Sequence, residues 1–264
     1  MRRLFAPDSR LRVALDLVWV GAFAAAFLWL ALGARGAGQL ERGVALELTP
    51  GIQEQGLYRR GQRLGTVVLE VRRQPQGWQL DRRLLVDGKR AALIRQRLRA
   101  DLSLASLSLD ADVSALGDLA GVPRFLLHQL GTNPRLRLSG ECDAETGLCR
   151  LLGAAGRFPL NLPITAGRGP VLSTAIYPLL ARGSLGRKLE LSLFDPLALR
   201  THLVTFVVEE RETLRLRSGT HRAVRVRCDV QGMTARVWLD ERGLLLREEM
   251  PLGVVAEHES WRSL

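Results

Sequence analysis

From residue 66 onward the chain alternates apolar and polar positions with a period of two, the pattern of antiparallel strands that bury one face and wet the other. It is carried by TVVLEV at 66–71, RLRLSGEC at 135–142, RKLELSLF at 187–194, THLVTFVV at 201–208, TLRLRSG at 213–219, HRAVRVRC at 221–228 and TARVWLDERGLLLREEM at 234–250. Turn signals separate these runs: Pro75-Gln76-Gly77, Asp87-Gly88, Ser218-Gly219 and Asp240-Glu241-Arg242-Gly243. The spacing predicts adjacent hairpins. In DLSLASLSLD the leucine phase shifts at Ala105-Ser106, between Leu102/Leu104 and Leu107/Leu109, which predicts a bulge that bends a long strand. Long bent strands suit a strongly curved antiparallel sheet.

Two stretches depart from the alternation. Residues 113–130 and 169–182 group apolar positions at helical spacing, although Pro123 and Pro178 restrict regular helix to short pieces. Short helices covering a curved sheet are expected. Phe125, Leu126 and Leu127 are candidates for a lid over its mouth, with an ordinary core-packed helix as the alternative. Asp195 before Pro196 has the pattern of a helix N-cap with proline at the first helical position, which gives it a structural rather than catalytic reading.

The N-terminus is of a different kind. Residues 13–32 are apolar apart from Asp16, and twenty residues at about 1.5 Å each span roughly 30 Å, the thickness of a bilayer's hydrocarbon core. Arg2, Arg3, Arg10 and Arg12 precede the run and Arg35 follows it, so the positive-inside rule keeps the start of the chain in the cytoplasm. The expected organisation is a cytoplasmic stub and membrane anchor over residues 1–38, a linker over 39–55 and one periplasmic β domain over 56–264. The alternative is a cleaved signal peptide, with small residues from Ala31 to Gly38 for a peptidase, and a domain free in the periplasm.

That location bears on CDAETGLC at 142–149, because disulfides persist in oxidising compartments. With Ala144 to Gly147 as a four-residue loop and Gly147 at positive φ, Cys142 faces Cys149 across a hairpin. The pair reads as a disulfide, with free thiols as the alternative. A metal site would need two further ligands, and none of His128, His202, His221 or His258 lies within ten residues. Cys228, in VRVRCDV, reads as a buried strand residue.

Composition narrows the partners. The net charge is +11, from 38 basic and 27 acidic residues, but the arginines are spread along every strand instead of clustering with aromatics. Nucleic acid is therefore not an expected partner. The skew from lysine to arginine matches a GC-rich coding bias, and a basic exported domain would be drawn to the anionic surface of the inner membrane.

Catalytic sets are weak. Gly183-Ser184-Leu185-Gly186 is one residue short of a nucleophile elbow, and a hydrolase using Ser184 or a histidine would need a histidine, a carboxylate and a hydroxyl in one cleft. Glu209-Glu210 and Glu248-Glu249 are adjacent on strands, so they read as the ends of solvated strands and not as a converging acid pair. No phosphate loop is present, and neither a cofactor nor an enzymatic activity is expected.

The order LYRRGQRLGTVVLEVRRQPQGWQLDRRLLV, LSLFDPLALRTHLVTFVVEERETL and RVWLDERGLLLREEMPLG resembles a family of uncharacterised bacterial exported β domains, sometimes found ahead of transglutaminase-like domains. Their architecture is similar to that of the lipoprotein-localisation (Lol-type) half-barrel carriers. The matching motifs are Gly-Gln-Arg-Leu-Gly at 61–65, Phe-Asp-Pro at 194–196 and Trp-Leu-Asp-x-x-Gly-Leu at 238–244. The resemblance implies a half-barrel with helices over its concave face. No catalytic transglutaminase set follows, so the implied role is binding: a lipid, a lipoprotein acyl chain or another hydrophobic ligand. On the inward strand phase the lining candidates are Val67, Leu69, Leu102, Leu104, Leu191, Leu193, Val224, Val226 and Trp238. The alternative is an envelope scaffold with a filled core that binds other envelope proteins.

Overall fold

The computed structural model describes residues 48–115, 135–156, 158–166, 173–184, 186–195, 199–230, 232–250 and 253–264. All fall within the compact unit Ala37–Leu264. The expected anchor at 13–32 and lid at Phe125, Leu126 and Leu127 lie outside the described residues. Among the described residues no helix is long and apolar enough to cross a membrane.

The strands among the described residues form one antiparallel sheet of fourteen. In chain order they are β1 (Gly51–Arg59), β2 (Gln62–Gln74), β3 (Gly77–Val86), β4 (Lys89–Arg99), β5 (Leu104–Asp112), β6 (Arg135–Glu141), β7 (Leu148–Ala155), β8 (Phe158–Thr165), β9 (Lys188–Asp195), β10 (Arg200–Leu216), β11 (Gly219–Val230), β12 (Met233–Leu239), β13 (Leu245–Met250) and β14 (Val254–Arg262). A 3₁₀ turn at Ser173–Ala175 leads into α1 (Tyr177–Arg182). Each strand pairs with its sequence neighbours, except that β8 and β9 do not pair and β1 pairs with β14. The two ends of the domain are thus joined in the middle of the sheet.

Local chemistry accounts for the hairpins. Asp87 and Gly88 both have positive φ (50° and 72°) between the paired residues Val86 and Lys89, the geometry of the two-residue turn that matches strand twist. The predicted bulge is present: Arg97 pairs with Ser106 and Leu98 with Leu104, leaving Ala105 as the extra residue. Leu102 precedes the strand instead of belonging to it, with φ of 64° in the turn after β4 and its side chain buried. The stretches 201–208 and 213–219, read separately in the sequence, are mainly one strand, β10, bent by a bulge between Val208 and Glu210. Residues 51–55, placed in a linker by the sequence, are the start of β1.

The helical expectations are met in part. Asp112 accepts hydrogen bonds from the backbone N–H groups of Ser114 and Ala115, capping a helical turn that starts at Val113. Of the stretch 169–182, the described helix is α1, which Pro178 enters in its first turn and Gly183 closes in the left-handed conformation. Asp195 ends β9, paired with Arg200; the helical turn expected after it lies outside the described residues.

Two apolar clusters lie on one face of the sheet. The first joins Leu80, Ile94, Leu104, Leu107, Leu109 and their neighbours on β2 to β8, and the second joins Leu191, Phe206, Val226, Val237 and Leu239 of β9 to β13 to Ile176 and Leu180 beside the sheet. Phe194 is the exception that reports the curl. Its neighbour Leu193 belongs to the second cluster, yet Phe194, pointing the other way, lies in the first. The two free edges therefore overlap, and the Thr201 hydroxyl donates to the Thr165 carbonyl at 3.0 Å. Pro159 and Pro163 on edge strand β8 lack the N–H groups that would otherwise recruit another strand.

Candidate ligand-binding face

Cross-strand partners share a face, so the pairing register shows which side chains line the inside of the roll. One row runs Leu107, Gln96, Leu80, Val71; the next Leu109, Ile94, Arg82, Leu69, Gln53; the next Ala111, Ala92, Leu84, Val67, Gln55, His258. A further row runs Gly65, Leu57, Ala256, Glu248, Val237, Val226. The strands between the two apolar clusters thus present polar groups inward.

Seven of the nine lining candidates stand on the inner face by this register: Val67, Leu69, Leu104, Leu191, Leu193, Val224 and Val226. Val67 and Leu69 are half-buried, whereas the other five are buried. Leu102 is packed in the first cluster from its turn. Trp238 is on the opposite face. It pairs with Arg225 and Arg247, and its indole N–H donates to Glu212 at 2.6 Å. The hairpin of β10 and β11 supplies Leu214 and Leu216 beside Trp238 and Leu246, and its Arg217 lies 4.2 Å above the Tyr58 ring. That small outer core needs large side chains with the same alternation as the inner one, so strand phase alone could not separate them.

The acidic pairs also divide differently from the expectation. The bulge in β10 brings both Glu209 and Glu210 to Arg225, at 2.8 and 2.7 Å. Glu249 faces outward and accepts from Arg247 at 2.7 Å. Glu248 points inward, where burial raises its proton affinity and the guanidinium of Arg82 partly opposes the rise. Its side chain is half-buried on the inner face.

Four other polar residues on these rows are more deeply placed than Glu248 and Arg82, which are both half-buried. Gln53, Gln55, Gln96 and His258 are all at least nine-tenths buried. Gln53 donates to the Leu245 carbonyl at 2.7 Å. The amide nitrogens of Gln55 and Gln96 and Nδ1 of His258 are buried without a hydrogen-bond partner. Burial lowers the proton affinity of His258, and the nearby charge of His221 adds to this. These residues went unnoticed in the sequence; the signal was a Gln-x-Gln inside an otherwise alternating run at 51–59.

The disulfide is formed, Cys142 to Cys149. Asp143 and Leu148 are hydrogen-bonded neighbours beside it, and Gly147, at φ of 68°, donates to the Asp143 carbonyl. The Asp143 carboxylate accepts from Glu145 and Thr146, mainly the latter, which lowers its pKa. Cys228 is buried, and desolvation pushes its thiol up to about 12.

Ser184 is exposed just after α1. A hydroxyl and a histidine meet elsewhere, Ser218 Oγ and His221 Nε2 at 3.2 Å on the exposed β10–β11 turn. Among the described residues no group of His, Cys, Asp and Glu is arranged to hold a metal ion. An open groove of about 300 Å³ is lined by Arg211, Glu212, Thr213, Arg222, Ala223, Val224 and Glu241.

No protein-family model matches the chain, and no curated protein matches it. Solved structures with a similar course are a β-barrel-like protein of the domain of unknown function DUF1849 from Brucella abortus (13% identity, TM-score 0.49, 82% of this chain and 98% of that one). Another is a protein from Bacteroides fragilis described as exported, with a YmcC-like fold (11% identity, TM-score 0.33, 83% and 100%). A third, from Parabacteroides distasonis, is described as a lipoprotein (8% identity, TM-score 0.29, 82% and 97%). At these values the likenesses carry no functional argument, which rests on the chain's own residues.

Proposed function

We propose that the rolled sheet is a periplasmic binding module that holds a lipid or another hydrophobic ligand on its inner face, tethered to the inner membrane through residues 13–32 or freed from it by signal cleavage. The carrying observation is the strip of half-buried and polar residues that parts the two apolar clusters, where a filled core would place packed aliphatic side chains. The disulfide supports an oxidising compartment. The role extends the resemblance to lipoprotein-localisation half-barrels: a shelter for acyl chains outside the cytoplasm, with no chemistry performed on them.

The test uses the full chain in its native membrane and a fatty acid bearing a photoactivatable diazirine. Labelled peptides from β2, β5 and β9, suppressed by Leu104→Arg and Leu193→Arg variants that still form the disulfide and resist protease, would support binding. Labelling confined to 13–32 would overturn it. A second reading has its own observation: Leu148 and Leu152 on the outer face of β7 are each about half exposed, beside the unpaired edge β8. It describes a scaffold that docks an envelope protein there, and crosslinking from position 152 to a protein would favour it.

A further inference from the structure

We infer that the ligand of the inner face is an amphiphile whose polar end is an anionic, acceptor-rich group, a carboxylate or a phosphate, held by Arg82 and Gln96, with Gln55 facing the same inner surface. This deepens the binding reading above and rests on it.

The first ground is hydrogen-bond bookkeeping. Buried amides in folded proteins are almost always paired, and those that are not call for a physical cause. Gln55 and Gln96 each leave the amide nitrogen without an acceptor, and both point inward by register. What they lack is an acceptor.

The second ground is charge. The neighbours of Arg82 along β3 are matched on the outer face: Asp81 binds Arg95 at 3.1 Å and Arg83 binds Glu70 at 3.2 Å. Arg82, facing the other way, has no salt bridge among the described residues, and its partner across the strand pair is Leu69. A guanidinium presents forked donors that fit a carboxylate or phosphate in two places at once.

The third ground is position. Gln96 pairs with Leu80 and Arg82 with Ile94, so Gln96 and Arg82 are diagonal neighbours on adjacent strands, within reach of one headgroup. Gln55 stands two strands further, across Val67, and Val67 and Leu69 there are only half-buried. Glu248 looks onto the same space from β13, and burial raises its proton affinity against the opposing charge of Arg82. Leu80, Leu107 and Leu109 in the first cluster flank the polar group on one side, and Val237 and Val226 in the second flank it on the other, so an acyl chain leaving the headgroup meets aliphatic surface either way.

The experiment is competition against the diazirine fatty acid on the full chain in membranes, read as labelling of inner-face peptides. Palmitate and lysophosphatidate are compared with hexadecanol, which shares the chain and lacks the anion. At least a tenfold advantage of one acid over the alcohol in the wild type supports the inference. That advantage should vanish in Arg82→Met, persist in Arg82→Lys, and shrink several-fold in the Gln55→Leu/Gln96→Leu variant, with competition by hexadecanol unchanged throughout. Whether palmitate or lysophosphatidate competes better tells a free fatty acid from a phospholipid source. Equal competition by acid and alcohol, with inner-face labelling intact, overturns the inference and leaves the binding reading standing. Absence of inner-face labelling overturns both.

Discussion

Leu57 of β1 and Ala256 of β14 are direct partners in the antiparallel ladder, and Ala256 pairs on its other side with Glu248. The last strand of the chain is therefore an internal strand, with every neighbour it needs supplied by the first strand and the thirteenth. Removing it would leave two sheet fragments with two new free edges, those of β1 and β13, each a row of unpaired N–H and C=O groups.

Truncation before Val254 is accordingly expected to abolish cooperative folding, whereas removal of Ser263 and Leu264, which follow β14, is tolerated. Ala256→Arg, a charge at a buried position on the inner face, should act like the truncation. Thermal unfolding followed by circular dichroism distinguishes these cases: a sharp transition in the longer truncation would show that β1 and β13 close without β14.

The bond between Cys142 and Cys149 closes a short loop, and replacing both with serine should cost about 2 kcal/mol by the chain-entropy relation. In denaturant without reductant one thiol per chain, that of Cys228, should react with a thiol reagent. In the folded protein it should react very slowly at neutral pH, since burial holds it in the unreactive neutral form. Three reactive thiols in denaturant would remove the disulfide and the argument for an oxidising compartment.

Gly243 faces Pro178 across the join between the β12–β13 turn and α1. A Cβ there would sit 2.3 Å from the Pro178 nitrogen, and the residue has φ of 84°. Gly243→Ala must therefore move α1 away from the second cluster as well as strain the turn, with an expected cost of about 2 to 4 kcal/mol. Gly61→Ala carries a similar φ of 79° with nothing near the new methyl, and should cost only about 1 kcal/mol. Denaturant midpoints measure both; equal losses would mean that the contact with Pro178 does not matter.

How much of this was legible in the sequence follows from what period two can and cannot carry. Alternation located the strands at 66–71, 135–142, 187–194 and 221–250, and the phase shift at Ala105 located a bulge, because each depends only on neighbours along the chain. Of the strand at 148–155 the sequence places only the start, opposite Cys142 in the hairpin: LCRLLGAA alternates weakly, and glycine at 153 makes room for the Arg137 carbonyl, which a Cβ would meet at 1.8 Å. GIQEQGLYR at 51–59 was assigned to linker over its first half because its inward residues are Gln53 and Gln55. Polar residues facing inward defeat a reading that equates inward with apolar, and those are the residues that single out the candidate site. The assignment of Trp238 to the inside failed for the complementary reason: the folded-over hairpin of β10 and β11 gives the outer face a core of its own, a relationship between distant parts of the chain.

Glu248 supplies the pH-dependent test. Burial raises its pKa above the usual carboxylate value of 4.5, so the folded protein binds its proton more tightly than the unfolded chain does. A group raised in this way contributes stability that is fully present below the unfolded pKa and is lost as pH rises through the folded one. At pH 7 the ligand-free domain therefore bears the cost of either an ionised carboxylate inside the roll or a proton held against the solution. Glu248→Gln, which keeps the shape and removes the charge, should raise the melting temperature at pH 7, and the gain should fade toward zero as pH drops to about 4, where the wild-type carboxyl is protonated in both states. A variant less stable than wild type at pH 7 would mean that Glu248 is ionised and paired in the folded protein, in which case Arg82 is occupied and the headgroup site proposed around it is lost.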